Sequence, residues 1–385
     1  MNESNGGKPD QELLSLFHDI LSVDTQNPPG NEMALAEYIG NYLKKGRIFI
    51  QEIETGRANL AAVIRGTGEK RPLILCGHMD TVPAGSTQAW QHEPIGLTVR
   101  DGKGYGRGTS DMKSGLACML YCFKKCLESN KKPKGDIWLF ATADEEAKGK
   151  GAAGLRESLL DKDAELLLIG EPTDNQICLC AKGTVWLEYT LTGKSAHASY
   201  PEQGINAIAA AFYFSDLLNR ELPQDRNPYL GKTTAQLTLI RGGTKINMIP
   251  EKCEFSMDIR SVPEFQSEEI MKCVERTEAR LKSLYPGLKL EKTIVQDRKA
   301  ISIDSANPSV KELTRICREV GGKEPRYCGV SYFSDASVLC AKADIPTILL
   351  GPGSPSLAHT ANEFVNLEQL FEAVKIYDAY LQLWY

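Results

Sequence analysis

Histidine is scarce in this chain, with five in 385 residues, and three of the five stand where an element ends among Gly, Ser, Thr or Pro. His78 follows the apolar run Leu73–Cys76 and Gly77, and Asp80 comes two residues later. The His-x-Asp spacing lets the Asp80 carboxylate accept a hydrogen bond from the imidazole nitrogen that a metal would leave free. Asp111 closes the glycine-rich string Gly104-Tyr-Gly-Arg-Gly-Thr-Ser-Asp111 at the mouth of a helix. It reads either as an N-cap or as a carboxylate beside a ligand that the glycines let the backbone approach. Asp144, Glu145 and Glu146 follow another apolar run directly, and Glu171 ends a third. Three consecutive acids at the end of a core strand need a cation, and a divalent metal is the natural one. His359 lies just past a fourth apolar run. Imidazole with carboxylate suits zinc, and two histidines with three or four acids suffice for a pair of ions. Of the remaining histidines, His18 reads as structural on the first helix and His92 lies in a polar loop with no assigned role.

A competing signal is Gly149, Gly151 and Gly154, a G-x-G-x-x-G with Glu171 about 20 residues on, the outline of a dinucleotide site. Here, however, three acids separate the glycines from their strand, and a pyrophosphate would be repelled by them.

These residues need a sheet to deliver them. Leu60–Ile64, Leu73–Cys76, Ile137–Ala141 and Leu166–Ile169 read as buried strands, with helices over Gln11–Ser22, Lys113–Glu128 and Ala152–Leu160. Open α/β sheets place ligand sites at the carboxyl ends of such strands. The pattern then changes to period two: Val185, Leu187, Tyr189 and Leu191, and later Cys253, Phe255, Met257 and Ile259, alternate with polar residues. That alternation predicts an antiparallel sheet with one buried face, joined by helices over Gly204–Arg220 and Ser267–Tyr285. Helix Ser309–Val320, strand Ile345–Leu350 and helix Leu367–Tyr385 restore the α/β pattern, so one domain interrupts another.

Composition bounds the partners. A formal charge of −5 argues against nucleic acid or an anionic membrane surface as the main partner. No run of 18 apolar residues exists to span a bilayer, and Met1–Asp10 lacks the apolar stretch of a signal peptide. The cysteines, eleven in all, show no CxxC spacing, and Cys118, Cys122 and Cys126 recur every four residues as small core side chains. Free thiols point to the cytoplasm.

The strings Gly77-His-Met-Asp-Thr-Val-Pro83, Gly106-Arg-Gly-Thr-Ser-Asp-Met-Lys-Ser-Gly115, Asp144-Glu-Glu146, Gly170-Glu-Pro-Thr173 and His359-Thr-Ala-Asn-Glu363 resemble the co-catalytic zinc family of acetylornithine deacetylase, succinyl-diaminopimelate desuccinylase, aminoacylase and glutamate carboxypeptidase. The resemblance runs from about residue 12 to the C-terminus. It implies an α/β catalytic domain, a mixed sheet flanked by helices, over 1–183 and 298–385. An inserted α+β ferredoxin-like lid and dimerisation domain would occupy 184–297. It also implies two Zn²⁺ per chain, replaceable by cobalt or manganese. Asp111 would bridge them, with His78 and Glu171 on one ion and Glu146 and His359 on the other. Glu145 would be the general base and Asp80 the carboxylate behind His78. His197 would reach the active site of a partner subunit, and Asn247 and Arg260 would hold the substrate carboxylate. The implied reaction is hydrolysis of an N-acyl amino acid, or of a short peptide, by a homodimer. One departure bears on substrate: Ser331-Tyr-Phe-Ser-Asp-Ala-Ser337 places Ser337 where desuccinylases carry an arginine.

Overall fold

The computed structural model describes residues 9–129, 131–159, 163–340 and 345–385. Met1–Lys8 and Leu160, the last residue of one expected helix, lie outside the described residues. The chain forms two compact units, Met1–Leu179 with Ile303–Cys328 and Ser334–Tyr385, and Cys180–Ser302 with Gly329–Phe333.

The first unit is built on a mixed sheet whose strands run in the order Arg47–Glu54, Arg57–Ile64, Ile137–Thr142, Leu73–His78, Leu166–Ile169, Thr347–Leu349 and Ile177–Ala181. Leu73–His78 lies centrally and is parallel to both neighbours, and Thr347–Leu349 is parallel to Leu166–Ile169. All residues of these four strands are buried, as expected where helices cover both faces. Helices Pro9–Ser22, Lys113–Glu128, Pro308–Gly321 and Leu367–Leu381 contribute Phe17, Leu120, Leu313 and Tyr377 to one core with Leu75 and Leu139. The cysteines expected to pack there do so. Cys118 and Cys122 donate to the Leu370 and Val374 carbonyls of the C-terminal helix.

Parallel register is what assembles the site. His78 stands opposite Thr142, and Cys76 opposite Ile169, so the parallel strands end on one edge of the sheet. The chain segments 143–146 and 170–171 leave that edge together. Gly115 lets the helix Lys113–Glu128 close on it, because a Cβ there would stand 2.0 Å from the Gly170 carbonyl oxygen. The glycines of 104–115 therefore serve close approach of protein to protein, rather than of backbone to a ligand.

The second unit runs strand Gly183–Thr192, helix Ala207–Glu221, strands Thr234–Gly242 and Lys252–Ser261, helix Ser267–Leu284 and strand Lys289–Arg298. This is the βαββαβ order of ferredoxin-like folds. All pairings are antiparallel, with Gly183–Thr192 and Lys252–Ser261 central. The period-two residues behave as expected: Val185, Leu187, Tyr189, Leu191, Phe255 and Met257 share a core with Phe214 and Ile270 of the helices. The first helix starts at Ala207, three residues later than expected, because Asn206 caps it by accepting the Ala209 N–H at 3.0 Å. Among the described residues no helix is long and apolar enough to cross a membrane.

Candidate metal centre

At the strand edge of the first unit, His78, Asp111 and Glu146 bring one ligand atom each within 4.8 Å of one another. His78 Nε2 lies 3.1 Å from Asp111 Oδ1. His359 Nε2 lies 3.5 Å from Asp111 Oδ2 and 3.0 Å from Glu146 Oε2. The Asp111 carboxylate thus stands between two imidazoles. It caps no helix; Met112 holds the N-cap position. His359 has a φ of 63°, in the left-handed region that non-glycine residues enter only when their surroundings hold them there.

The tautomer of His78 tests whether this set fits a metal. Its Nδ1 lies 2.9 Å from the backbone carbonyl oxygen of Asp80, which can only accept. Nδ1 therefore carries the proton, and the neutral ring turns its Nε2 lone pair toward the Asp111 carboxylate. Two acceptors face each other, an arrangement that a proton or a cation must relieve. Burial disfavours the His78 imidazolium, but the Asp111 hydrogen bond and the charges of Glu145 and Glu171 outweigh it and hold the pKa well up. The hydrogen bonds from Asp111 and Glu146 push His359 up to about 10. Burial drives Glu145 and Glu171 far above the usual carboxylate range, and neighbouring acids add to the rise. Glu171 is 3% exposed, and Asp111 is foremost among those neighbours. Imidazole lone pairs and crowded buried carboxylates are a donor set suited to divalent cations.

The structure corrects the expected role of the Asp80 side chain. Its carboxylate stands 3.8 Å from His78 Nδ1 and leaves that contact to its own backbone carbonyl. The reason is competition: Asp80 Oδ1 accepts the Glu145 N–H, and Oδ2 accepts the Glu146 N–H and Asn27 Nδ2, all at 3.0–3.1 Å. Asp80 is thus the anchor of the Glu145–Glu146 turn. Glu145 is 5% exposed, and its Oε1 has no hydrogen-bond partner among the described residues.

Two buried networks lie behind these groups, and their pairings have no signature in the sequence. Arg57 binds Glu32 through Nε at 2.9 Å and through Nη2, and its Nη1 donates to Asp144 at 2.8 Å. Asp144, with φ of 65°, also accepts the Lys150 N–H at 3.1 Å. The helix Lys150–Leu159 therefore already has a carboxylate at its N-terminus, where the dinucleotide reading would seat a pyrophosphate. Gly151 packs on the chain itself; a Cβ would meet the Ala143 carbonyl oxygen at 2.2 Å. In the second network Glu363 accepts the backbone N–H groups of Gly108, Ser110 and Asp111 at 3.0, 2.7 and 3.0 Å and pairs with Arg107 at 2.5 Å. Ser337, at the position where the resemblance to desuccinylases would call for an arginine, turns its hydroxyl to the Ser334 carbonyl oxygen at 2.8 Å.

The other expected site residues lie in the second unit. His197 and Asn247 are exposed neighbours, with the Ala198 N–H donating to the Asn247 carbonyl oxygen at 3.0 Å. Arg260 is held bidentately by Asp258 of its own strand, at 2.8 and 3.0 Å.

Residues 74–383 match the model of peptidase family M20/M25/M40. The chain belongs to that family. This M20 chain is 32% identical over 359 residues to an acetylornithine deacetylase of Proteus mirabilis, covering 90% of this chain and 89% of the relative. It is 28% identical over 400 residues to a probable succinyl-diaminopimelate desuccinylase of Staphylococcus aureus, covering 96% of each. Among solved structures, a dinuclear metal-binding M20 peptidase of Bacillus subtilis superposes with a TM-score of 0.71 at 16% identity, covering 98% of each chain. The M20 chain is therefore a metal-dependent hydrolase with the mixed-sheet fold of its family.

Proposed function

We propose that the protein is a two-zinc amidohydrolase that removes the acyl group from an N-acyl amino acid. The observation that carries this reading is the Asp111 carboxylate standing between the His78 and His359 imidazoles, with Glu146 beside it. His78, Asp111, Glu146, Glu171 and His359 would hold the ions, which when bound lower the pKa of a water and polarise the scissile carbonyl. Glu145 takes the proton from the water and returns it to the leaving amine. Its unpartnered, buried Oε1 supports that role. Asp80 keeps Glu145 and Glu146 in register through their backbone N–H groups.

Substrate contacts fall to the second unit. Arg260 offers a planar fork that matches a carboxylate, and its pairing with Asp258 keeps that fork oriented. Asn247 is the second carboxylate contact. His197, exposed and with the Ser199 N–H on its Nδ1 at 3.1 Å, would serve the active site of a second copy of this chain. A homodimer through this unit accords with the exposed Phe212 and Tyr213 of its first helix and Leu239 of its edge strand. The cysteines, none of them in a disulfide among the described residues, accord with a cytoplasmic setting.

The test is hydrolysis of a panel of N-acetyl amino acids and dipeptides by protein loaded with zinc, cobalt or manganese. Faster turnover of the acetylated substrates supports the deacylase reading. Turnover confined to the peptides would replace it with a di- or tripeptidase, and no turnover of either would reject both.

A further inference from the structure

Ten of the eleven cysteines are buried, and among the described residues Cys328 is the exception. It lies on the short strand Tyr327–Val330, which hydrogen-bonds to strand Ile177–Ala181. Two contacts fix how these strands meet. The Lys182 N–H donates to the Val330 carbonyl oxygen at 3.0 Å, and a Cβ on Gly329 would stand 2.8 Å from Cys180 Sγ. A third brings two thiols together: Cys328 is hydrogen-bonded to Cys178, which is fully buried. Adjacent strands stand about 4.7–4.9 Å apart, and a disulfide joins Cα atoms about 4.4–6.8 Å apart. Strand pairing thus sets Cys178 and Cys328 at disulfide reach.

The two thiols are not equivalent. Hydrogen bonding to Cys178 pulls the Cys328 pKa below its ordinary value, against burial and the charge of Asp174. Burial instead holds Cys118 and Cys122 above theirs and pushes Cys317 up to about 12. The thiolate is the attacking species in thiol chemistry, so Cys328 combines access with ionisation. Cys178 is shut away from solvent, and its sulfur faces that of Cys328.

We propose that Cys328 and Cys178 form a reversible modification site for low-molecular-weight disulfides, with Cys328 the attacking and Cys178 the resolving thiol. Cys328 releases its proton to water and attacks one sulfur of the small disulfide. The S–S bond breaks, one half departs and takes up a proton, and the other half stays on Cys328 as a mixed disulfide. Cys178 then attacks Cys328 Sγ, and its proton passes to the second departing half. A protein dithiol and a small disulfide become a protein disulfide and two small thiols, with no further oxidant consumed. The position of the bond in the chain is telling: Leu179 and Cys328 are each the last residue of the first unit before the chain enters the second. The bond would tie together two segments through which the chain passes between the units. This assignment is independent of the amidohydrolase reading.

The test is mass spectrometry of the metal-loaded, fully reduced protein after incubation with oxidised glutathione at neutral pH without denaturant, repeated on Cys328→Ser and Cys178→Ala. The parent is expected to lose two hydrogens and retain no glutathione. Peptide mapping after alkylation should join the peptides that carry Cys178 and Cys328. Excess reduced glutathione should restore the dithiol. Cys178→Ala, lacking the resolving thiol, should stop with one glutathione on Cys328. Cys328→Ser should react about tenfold or more slowly, because only buried thiols remain. The peptide map of the parent needs no variant and carries the test should either substitution unfold the chain. No reaction of the parent, a glutathione retained without an internal bond, a bond between other cysteines, or Cys328→Ser reacting as fast as the parent overturns the proposal. Amide hydrolysis is not read, so failure of the proposed function leaves this result standing.

Discussion

The carboxylate of Glu363 accepts the backbone N–H of Asp111 at 3.0 Å, so a residue four positions past His359 fixes the carboxylate that stands between the two imidazoles. The same two oxygens take the Gly108 and Ser110 N–H groups and the Arg107 guanidinium. Glu363→Ala leaves Arg107 buried without its partner and three N–H groups unfilled. A loss of about 3–5 kcal/mol is expected from removing one member of a buried ion pair. Chemical denaturation measures it, and metal analysis of the folded fraction should show fewer than two ions per chain. Unchanged metal content would mean that Asp111 is held by other contacts.

Glu145 and Glu146 are adjacent yet differently placed, one with an unpartnered oxygen and the other against His359. Glu145→Gln keeps the size and removes the proton acceptor. Turnover should fall to background while about two ions per chain are retained, the number common in co-catalytic sites. Activity near that of the parent would remove Glu145 from the base role.

Gly115 has no room for a side chain, its missing Cβ lying 2.0 Å from the Gly170 carbonyl oxygen. Gly115→Ala must push the helix Lys113–Glu128 away from the strand that delivers Glu171. A cost of about 1–3 kcal/mol, typical of overpacking, should appear in the denaturation midpoint together with weaker metal retention.

Lys113 is buried, with Nζ donating to the Ile20 and Val23 carbonyl oxygens at 3.0 Å. Burial pushes its pKa down to about 7, and Asp24, Asp80, Glu32 and Glu363 offset only part of that fall. The folded pKa lies below the unfolded value of 10.5. Between those values the unfolded chain holds a proton that the folded chain has released, so this group makes the protein more stable as pH rises. From pH 7 to 9 the gain is about 2 kcal/mol. Lys113→Met lacks it, so its stability relative to the parent should decline across that range. A difference that stays flat with pH would place the ammonium in a wetter setting.

Sequence pointed to the residues of the candidate centre because most of them follow a strand or open a helix, and strand ends are legible as the close of an apolar run. His78, Glu146 and Glu171 share that signature, and register then brings His78 level with Thr142, whereas His359 lies in a turn beyond strand Thr347–Leu349. Arg57 and Glu32 have no such signature: their pairing is made by folding, across 25 residues, and looks in sequence like two ordinary surface charges. Strand Lys289–Arg298 was missed for another reason. Its burial follows no strict alternation, because it is an edge strand with a register shift between Ile294 and Gln296. Arg298, at its buried end, went unseen with it. Asp80 was found for its spacing to His78 and turned out to serve Glu145 and Glu146, since its backbone carbonyl was nearer to the imidazole.

The pairing of Thr184 with Arg298 has a consequence for how this molecule can be rearranged. The 113 residues between these two leave and return on a single rung of antiparallel strands, where facing Cα atoms stand about 4.5–5.5 Å apart. Chain entering that rung and chain leaving it are already as close as the two ends of a tight hairpin. Residues 185–297, most of the unit, therefore form an exchangeable block, with Gly329–Phe333 left behind: a short turn spanning the rung would reconnect the chain, and a different module with equally close ends could be received at the same point.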